Sequence, residues 1–156
     1  MIEYFSGVAK TAADKGIDYI ISNKRFKLEV EALAEKLKRE LKFNIEVIDE
    51  IIKQSKLKNI EDKQKLISMF SLVKNKTFSN IDSGIIPLKF YFPKEISISK
   101  NEKYFYRMKS IKHLSDLIEK SYLRLELIKF QFNHGGINSD LNYLKFLLLK
   151  TIRELQ

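Results

Sequence analysis

Histidine is the side chain whose free imidazole exchanges protons near neutrality, so His113 and His134 are the natural candidates for proton transfer in this 156-residue sequence. His134 precedes Gly135 and Gly136 at an expected helix end, where a ring able to carry a positive charge favours the C-terminal dipole. His113 follows Arg107 by six positions in the run Arg-Met-Lys-Ser-Ile-Lys-His. A guanidinium that stabilises phosphate charge and an imidazole that moves a proton would together suit cleavage of a phosphodiester. Six steps of a regular helix rotate the side chain by about 240°, so the two would not share one helical face.

A second combination surrounds that pair. Between residues 84 and 112, Lys89, Lys94, Lys100, Lys103, Arg107, Lys109 and Lys112 face only Glu95 and Glu102, a net charge of +5. Phe90, Tyr91, Phe92, Tyr104, Phe105 and Tyr106 are interleaved with them. Basic side chains neutralise phosphates while aromatic faces stack on unpaired bases, so Lys89, Tyr91, Lys94, Lys100, Lys103, Tyr104, Tyr106, Arg107, Lys109 and Lys112 form a candidate contact surface for single-stranded nucleic acid or RNA. An acidic protein partner would meet the same charge. The alternative is that the aromatics seal a core and the lysines form its solvated rim. Only 5 of the 29 basic residues are arginine, which argues against reading of base edges.

The Arg107 to His113 spacing resembles the Arg-x(4–6)-His element of HEPN ribonucleases, all-helical domains that act on RNA, usually across a dimer. The likeness covers seven residues and departs from the pattern at Met108, where a polar residue commonly follows the arginine. It implies Arg107 stabilising phosphate charge and His113 in acid and base roles.

Other chemistry finds no support. No cysteine is present, which excludes disulfides, thiolate metal sites and cysteine nucleophiles and fits a reducing compartment. Neither a metal nor a cofactor is expected. Carboxylate pairs such as Glu31 with Glu35 and Asp49 with Glu50 lie among lysines on expected helix surfaces, where ordinary ion pairing accounts for them. No phosphate-binding glycine loop or serine-hydrolase elbow occurs. Binding is therefore expected ahead of catalysis.

The elements that position these residues read as helical. Residues 2 to 21 carry an amphipathic period with a small face at Ala9, Ala12, Ala13 and Gly16, suited to close helix packing, to an oligomeric subunit or to a membrane-peripheral contact. A long helix follows over about residues 24 to 56, gaining a second apolar face from Leu41 onward, with Asn44 inside it. Asn59 and Asp62 mark the start of a shorter helix ending near Lys74. Residues 85 to 93, which contain Pro87 and end on Pro93, read as extended and could pair with residues 96 to 99. Ser99 and Glu102 match a capping box, which predicts a second long helix to Asn133. Asn138, Ser139 and Asp140 then open a last helix.

The expected fold is all-α: a single domain over residues 1 to 156, an elongated antiparallel bundle of four to five helices with a short extended or hairpin insertion around residues 84 to 99. Hydrophobic residues make up 44% of the chain, enough for a core without staples. The net charge of +9 points to anionic partners, and the amphipathic helices to possible homo-oligomers. No run of about 18 apolar residues is long enough to cross a membrane. Charges at Lys10, Asp14, Lys15 and Asp18 interrupt any signal-peptide core, so a cytoplasmic location is expected.

Overall fold

A computed structural model describes residues 16, 18–56, 61–135 and 140–156; besides the helical residues 18 to 21, these contain seven helices and no named strand. The first, α1, spans Lys24–Ser55 and opens where Asn23 Oδ1 accepts the Arg25 amide at 3.0 Å. With 32 residues and no proline or glycine it is about 48 Å long. Phe26 is its one buried residue before Leu37. From there Leu37, Glu40, Leu41, Asn44, Ile45, Ile48 and Ile51 are all buried. The richer apolar pattern after Leu41 thus marks the half of α1 that other helices cover.

α2 spans Glu61–Phe70 and buries Leu66 and Phe70 against α1, ending four residues before Lys74. The expected start at Asn59 lies outside the described residues. The small-residue face expected over residues 2 to 21 lies outside them too, apart from Gly16 and residues 18 to 21.

α3 spans Lys76–Asp82. Its local sequence reads as turn chemistry, and the turn is present only at its end, where the Gly84 amide donates to the Ile81 carbonyl at 3.1 Å. Its start is supplied from α1: Glu40 Oε2 accepts the Thr77 amide at 2.9 Å.

Of the two forms expected around residues 84 to 99, extended or hairpin, the hairpin is not formed. Leu88–Tyr91 is a helical turn, α4, entered from Pro87, whose fixed φ suits a helix start. The extended run comes after it and pairs elsewhere: the Ile96 amide donates to the Lys112 carbonyl and the Leu114 amide to the Lys94 carbonyl, each at 2.8 Å, in an isolated antiparallel bridge between Glu95 and His113.

That bridge also explains why the second long helix is divided. Phe105–Met108 is a single turn, α5, entered through Tyr104 at φ 67°, and α6 begins only at Leu114 and runs to Asn133. Residues 112 and 113 are held extended by the bridge. Met108 and Ile111 nevertheless point inward, so a turn followed by an extended segment imitates one helical stripe. Asp116 Oδ2 accepts the His113 amide at 3.0 Å and thereby closes the real start of α6. Ser99 makes only a local turn, its Oγ accepting the Asn101 amide at 3.3 Å, while Glu102 reaches across to Lys150 at 3.0 Å.

The stop of α6 is as expected. His134 is its C-cap, with Nδ1 2.9 Å from the Phe130 carbonyl, and Gly135 takes φ +84°, a conformation that glycine adopts without strain.

α7, Leu141–Glu154, is buried on nearly every side and packs on both α1 and α6. It runs antiparallel to α6. Phe132 and Leu141 share one small cavity, and Ser121 Oγ meets Thr151 Oγ1 at 2.8 Å toward the other end. One contiguous apolar cluster joins α1, α2, α6 and α7 and takes in Phe92, Ile96, Met108 and Ile111 from the intervening segment. No helix of the described residues is long and apolar enough to cross a membrane.

Candidate functional site

Three of the six aromatic members of residues 84 to 112 are committed inward. Tyr91 lies against Phe26 at 5.1 Å between ring centroids, and burial beside Glu29 raises its pKa above the ordinary phenol value. Phe92 is buried. Tyr104 meets Tyr143 at 5.0 Å and Phe146 at 5.3 Å, both edge-on. Phe90 and Phe105 are half-buried, and Tyr106 is 82% exposed.

The basic members divide differently. Lys94 is tied to the end of α7, its Nζ 3.0 Å from Glu154 Oε2 and 3.2 Å from the Glu154 carbonyl. Lys89, Lys100, Lys103, Lys109 and Lys112 are exposed, with Lys89 and Lys103 each over the aromatic ring that follows it and Lys109 over Tyr106, three residues before it. The structure therefore keeps a lysine rim and turns three of its six interleaved aromatics, Tyr91, Phe92 and Tyr104, onto the core.

Arg107 and His113 are placed apart in role. The Arg107 guanidinium lies 3.5 Å from the Tyr143 ring centroid and forms an ion pair with Asp140. His113 belongs to the Glu95 bridge, with Nδ1 3.5 Å from Asp116 Oδ2. They occupy α5 and the cap of α6, with the extended segment between them, rather than one helix.

Arg107 instead converges with residues that the sequence pattern had not singled out. A groove of about 550 Å³ is lined by Arg107, Asp116, Glu119, Lys120, Leu123, Arg124, Leu127 and Tyr143. Such a volume is within the range of small-ligand and peptide pockets. α6 supplies its floor because residues three and four apart share a helix face. α5 and α7 supply Arg107 and Tyr143. Lys120 Nζ donates to the Arg107 carbonyl, fixing α5 against α6. Burial, with Arg107 nearby, lowers the Lys120 pKa from the ordinary ammonium value.

Tyr143 lies beneath two cations, with the Arg124 guanidinium 5.3 Å from its ring centroid as well. The ring is 1% exposed, and burial raises its pKa, so the hydroxyl keeps its proton. Among the described residues, the Tyr143 hydroxyl and Arg124 Nε are buried donors with no hydrogen-bond partner.

An apolar stripe extends the groove along α6. Leu123, Leu127 and Phe130 are 60%, 45% and 59% exposed and stand four and three residues apart. They lie off the buried stripe of Ile118, Tyr122, Leu125, Ile128 and Phe132. The signal was present in the sequence as a second apolar spacing on this helix.

Among the described residues no cluster of three or more histidine or carboxylate side chains could hold a metal ion. Comparison with known proteins finds no matching family model, no matching curated protein and no matching solved structure.

Proposed function

We propose that this chain is a non-enzymatic binding protein whose α6 face docks an acidic amphipathic helix of a partner protein. The observation that carries the reading is the exposed stripe Leu123, Leu127 and Phe130 beside the cations Arg107, Lys120 and Arg124. An apolar stripe takes the apolar face of a partner helix, and adjoining cations pair with its acidic flank. Burying the exposed half of each large side chain contributes about 1 kcal/mol. Asp116 and Glu119 in the same lining, and the packing of Tyr91, Phe92 and Tyr104 on the core, favour a protein over single-stranded nucleic acid, which needs free stacking faces and repels carboxylates.

The test is fluorescence anisotropy of the full chain with a labelled acidic amphipathic peptide and with a labelled single-stranded RNA, each at low and high salt. The expected result is peptide binding that weakens with salt and is lost in a Leu123→Ser, Leu127→Ser double variant. RNA binding without peptide binding overturns the reading. So does a stable dimer in sedimentation that buries the same stripe, since the occupant is then a second copy.

A further inference from the structure

Two buried hydrogen-bond donors on one groove, Arg124 Nε and the Tyr143 hydroxyl, lack an acceptor among the described residues. An unmet buried donor typically costs about 1–3 kcal/mol, and native structures rarely keep two on one groove without a water or ligand that answers them. The charge of the lining narrows that ligand. Arg107 is already matched by Asp140, and Asp116 Oδ2 accepts the amides of Lys112 and His113. Those amides are neutral and leave the Asp116 charge in place, so Asp116 and Glu119 together balance Lys120 and Arg124 and the rest of the lining carries no net charge. A neutral lining with two unmet donors suits a monoanion better than a doubly charged phosphate.

We propose that Arg124 and Tyr143 form a carboxylate-binding site in which the guanidinium and the phenol donate to the two carboxylate oxygens and the apolar attachment of that carboxylate lies on Leu123 and Leu127. A guanidinium edge and a carboxylate match as parallel donors and acceptors. The Tyr143 phenol stays protonated because burial raises its pKa, so it remains a donor at neutral pH. The site deepens the docking reading, on which it rests for a protein source: the partner would insert an acidic side chain or terminal carboxylate next to an apolar residue. A free organic acid carries the same chemistry.

The test uses the full chain, titrated with hexanoate, acetate, hexylamine and an acidic amphipathic peptide. The side-chain Nε–Hε resonance of Arg124, assigned by its loss in Arg124→Lys, reports the site directly. Hexanoate is expected to shift that resonance and raise the melting temperature, acetate to bind more weakly, and hexylamine to do neither. Tyr143→Phe removes an unpaired hydroxyl, so it should melt no lower than wild type yet bind hexanoate about tenfold more weakly, the loss of one charge-assisted hydrogen bond. Peptide binding with an unmoved Arg124 resonance overturns the carboxylate site and leaves helix docking standing. Hexanoate binding without peptide binding supports the site and removes the protein partner. Equal response to hexanoate and hexylamine, or none to hexanoate, overturns it.

Discussion

Tyr122 donates its hydroxyl to Glu40 Oε1 over 2.7 Å in the interior, joining α6 to α1, while the other oxygen of the same carboxylate accepts the Thr77 amide at the start of α3. One buried carboxylate therefore ties three elements. Tyr122→Phe deletes only the hydroxyl, keeps the ring stacked on Phe78 at 4.5 Å, and leaves Glu40 Oε1 without that donor. The expected cost is about 2 kcal/mol, because a hydrogen bond to a charged group is lost and a desolvated acceptor remains. Urea denaturation with an unchanged slope measures it. A loss below about 0.5 kcal/mol would show that water replaces the phenol.

Glu40 also shows where the sequence was legible and where it was not. The long period of α1, its two-sided apolar half and the His134-Gly135 stop are local patterns, and the structure reproduces them. The start of α3 is set by a carboxylate 37 residues earlier, which no local pattern can announce. The same holds for the break at residues 109 to 113. Met108 and Ile111 sit at helical spacing, but pairing of Lys112 with Ile96 decides their backbone. At the candidate site, the charge run in residues 84 to 112 led to Arg107. Its groove partners Arg124 and Tyr143 come from α6 and α7, and tertiary packing alone brings them to it.

Asn44 is fully buried and makes two bonds to one residue, its Nδ2 donating to the Lys74 carbonyl and its Oδ1 accepting the Lys74 amide, both at 2.7 Å. It fixes the chain between α2 and α3 on the middle of α1. Asn44→Ala loses both bonds and leaves a cavity, for an expected loss of about 2–3 kcal/mol. Asn44→Leu loses the same two bonds but fills the space, so the loss should be smaller by the cavity contribution. Equal losses in the two variants would show that the polar bonds, rather than the volume, dominate. Chemical denaturation of both proteins decides it.

Stability should fall in strong alkali. Burial is the first cause raising the pKa of Tyr91, Tyr122 and Tyr143, so all three keep their protons in the folded chain after the unfolded chain has lost its own. Above about pH 10 the unfolded state binds fewer protons than the folded state, and stability therefore declines as pH rises. Lys120 acts in the opposite sense. Its lowered pKa makes the unfolded state bind the extra proton, so its contribution grows with pH until the unfolded ammonium is itself neutral near about pH 10.4. The tyrosine effect should stand clear above that value. Urea midpoints from about pH 8 to about pH 11 should fall at the alkaline end, less steeply in Tyr122→Phe. A flat profile in wild type would sink the assignment.

Asp140 serves two structures with two oxygens. Oδ1 accepts the Tyr143 amide at 3.2 Å and caps α7, and Oδ2 pairs with Arg107. Asp140→Asn keeps an oxygen for the cap and removes the charge. Because both partners of the ion pair are partly exposed, its loss should cost at most about 0.5 kcal/mol and should vanish at high salt. Asp140→Ala loses the cap as well, adding about 1 kcal/mol that salt does not screen. Thermal melts of the two variants at low and high salt separate the contributions. If the Asn and Ala variants melt together at high salt, the cap contributes nothing, and α7 is held by its buried face alone.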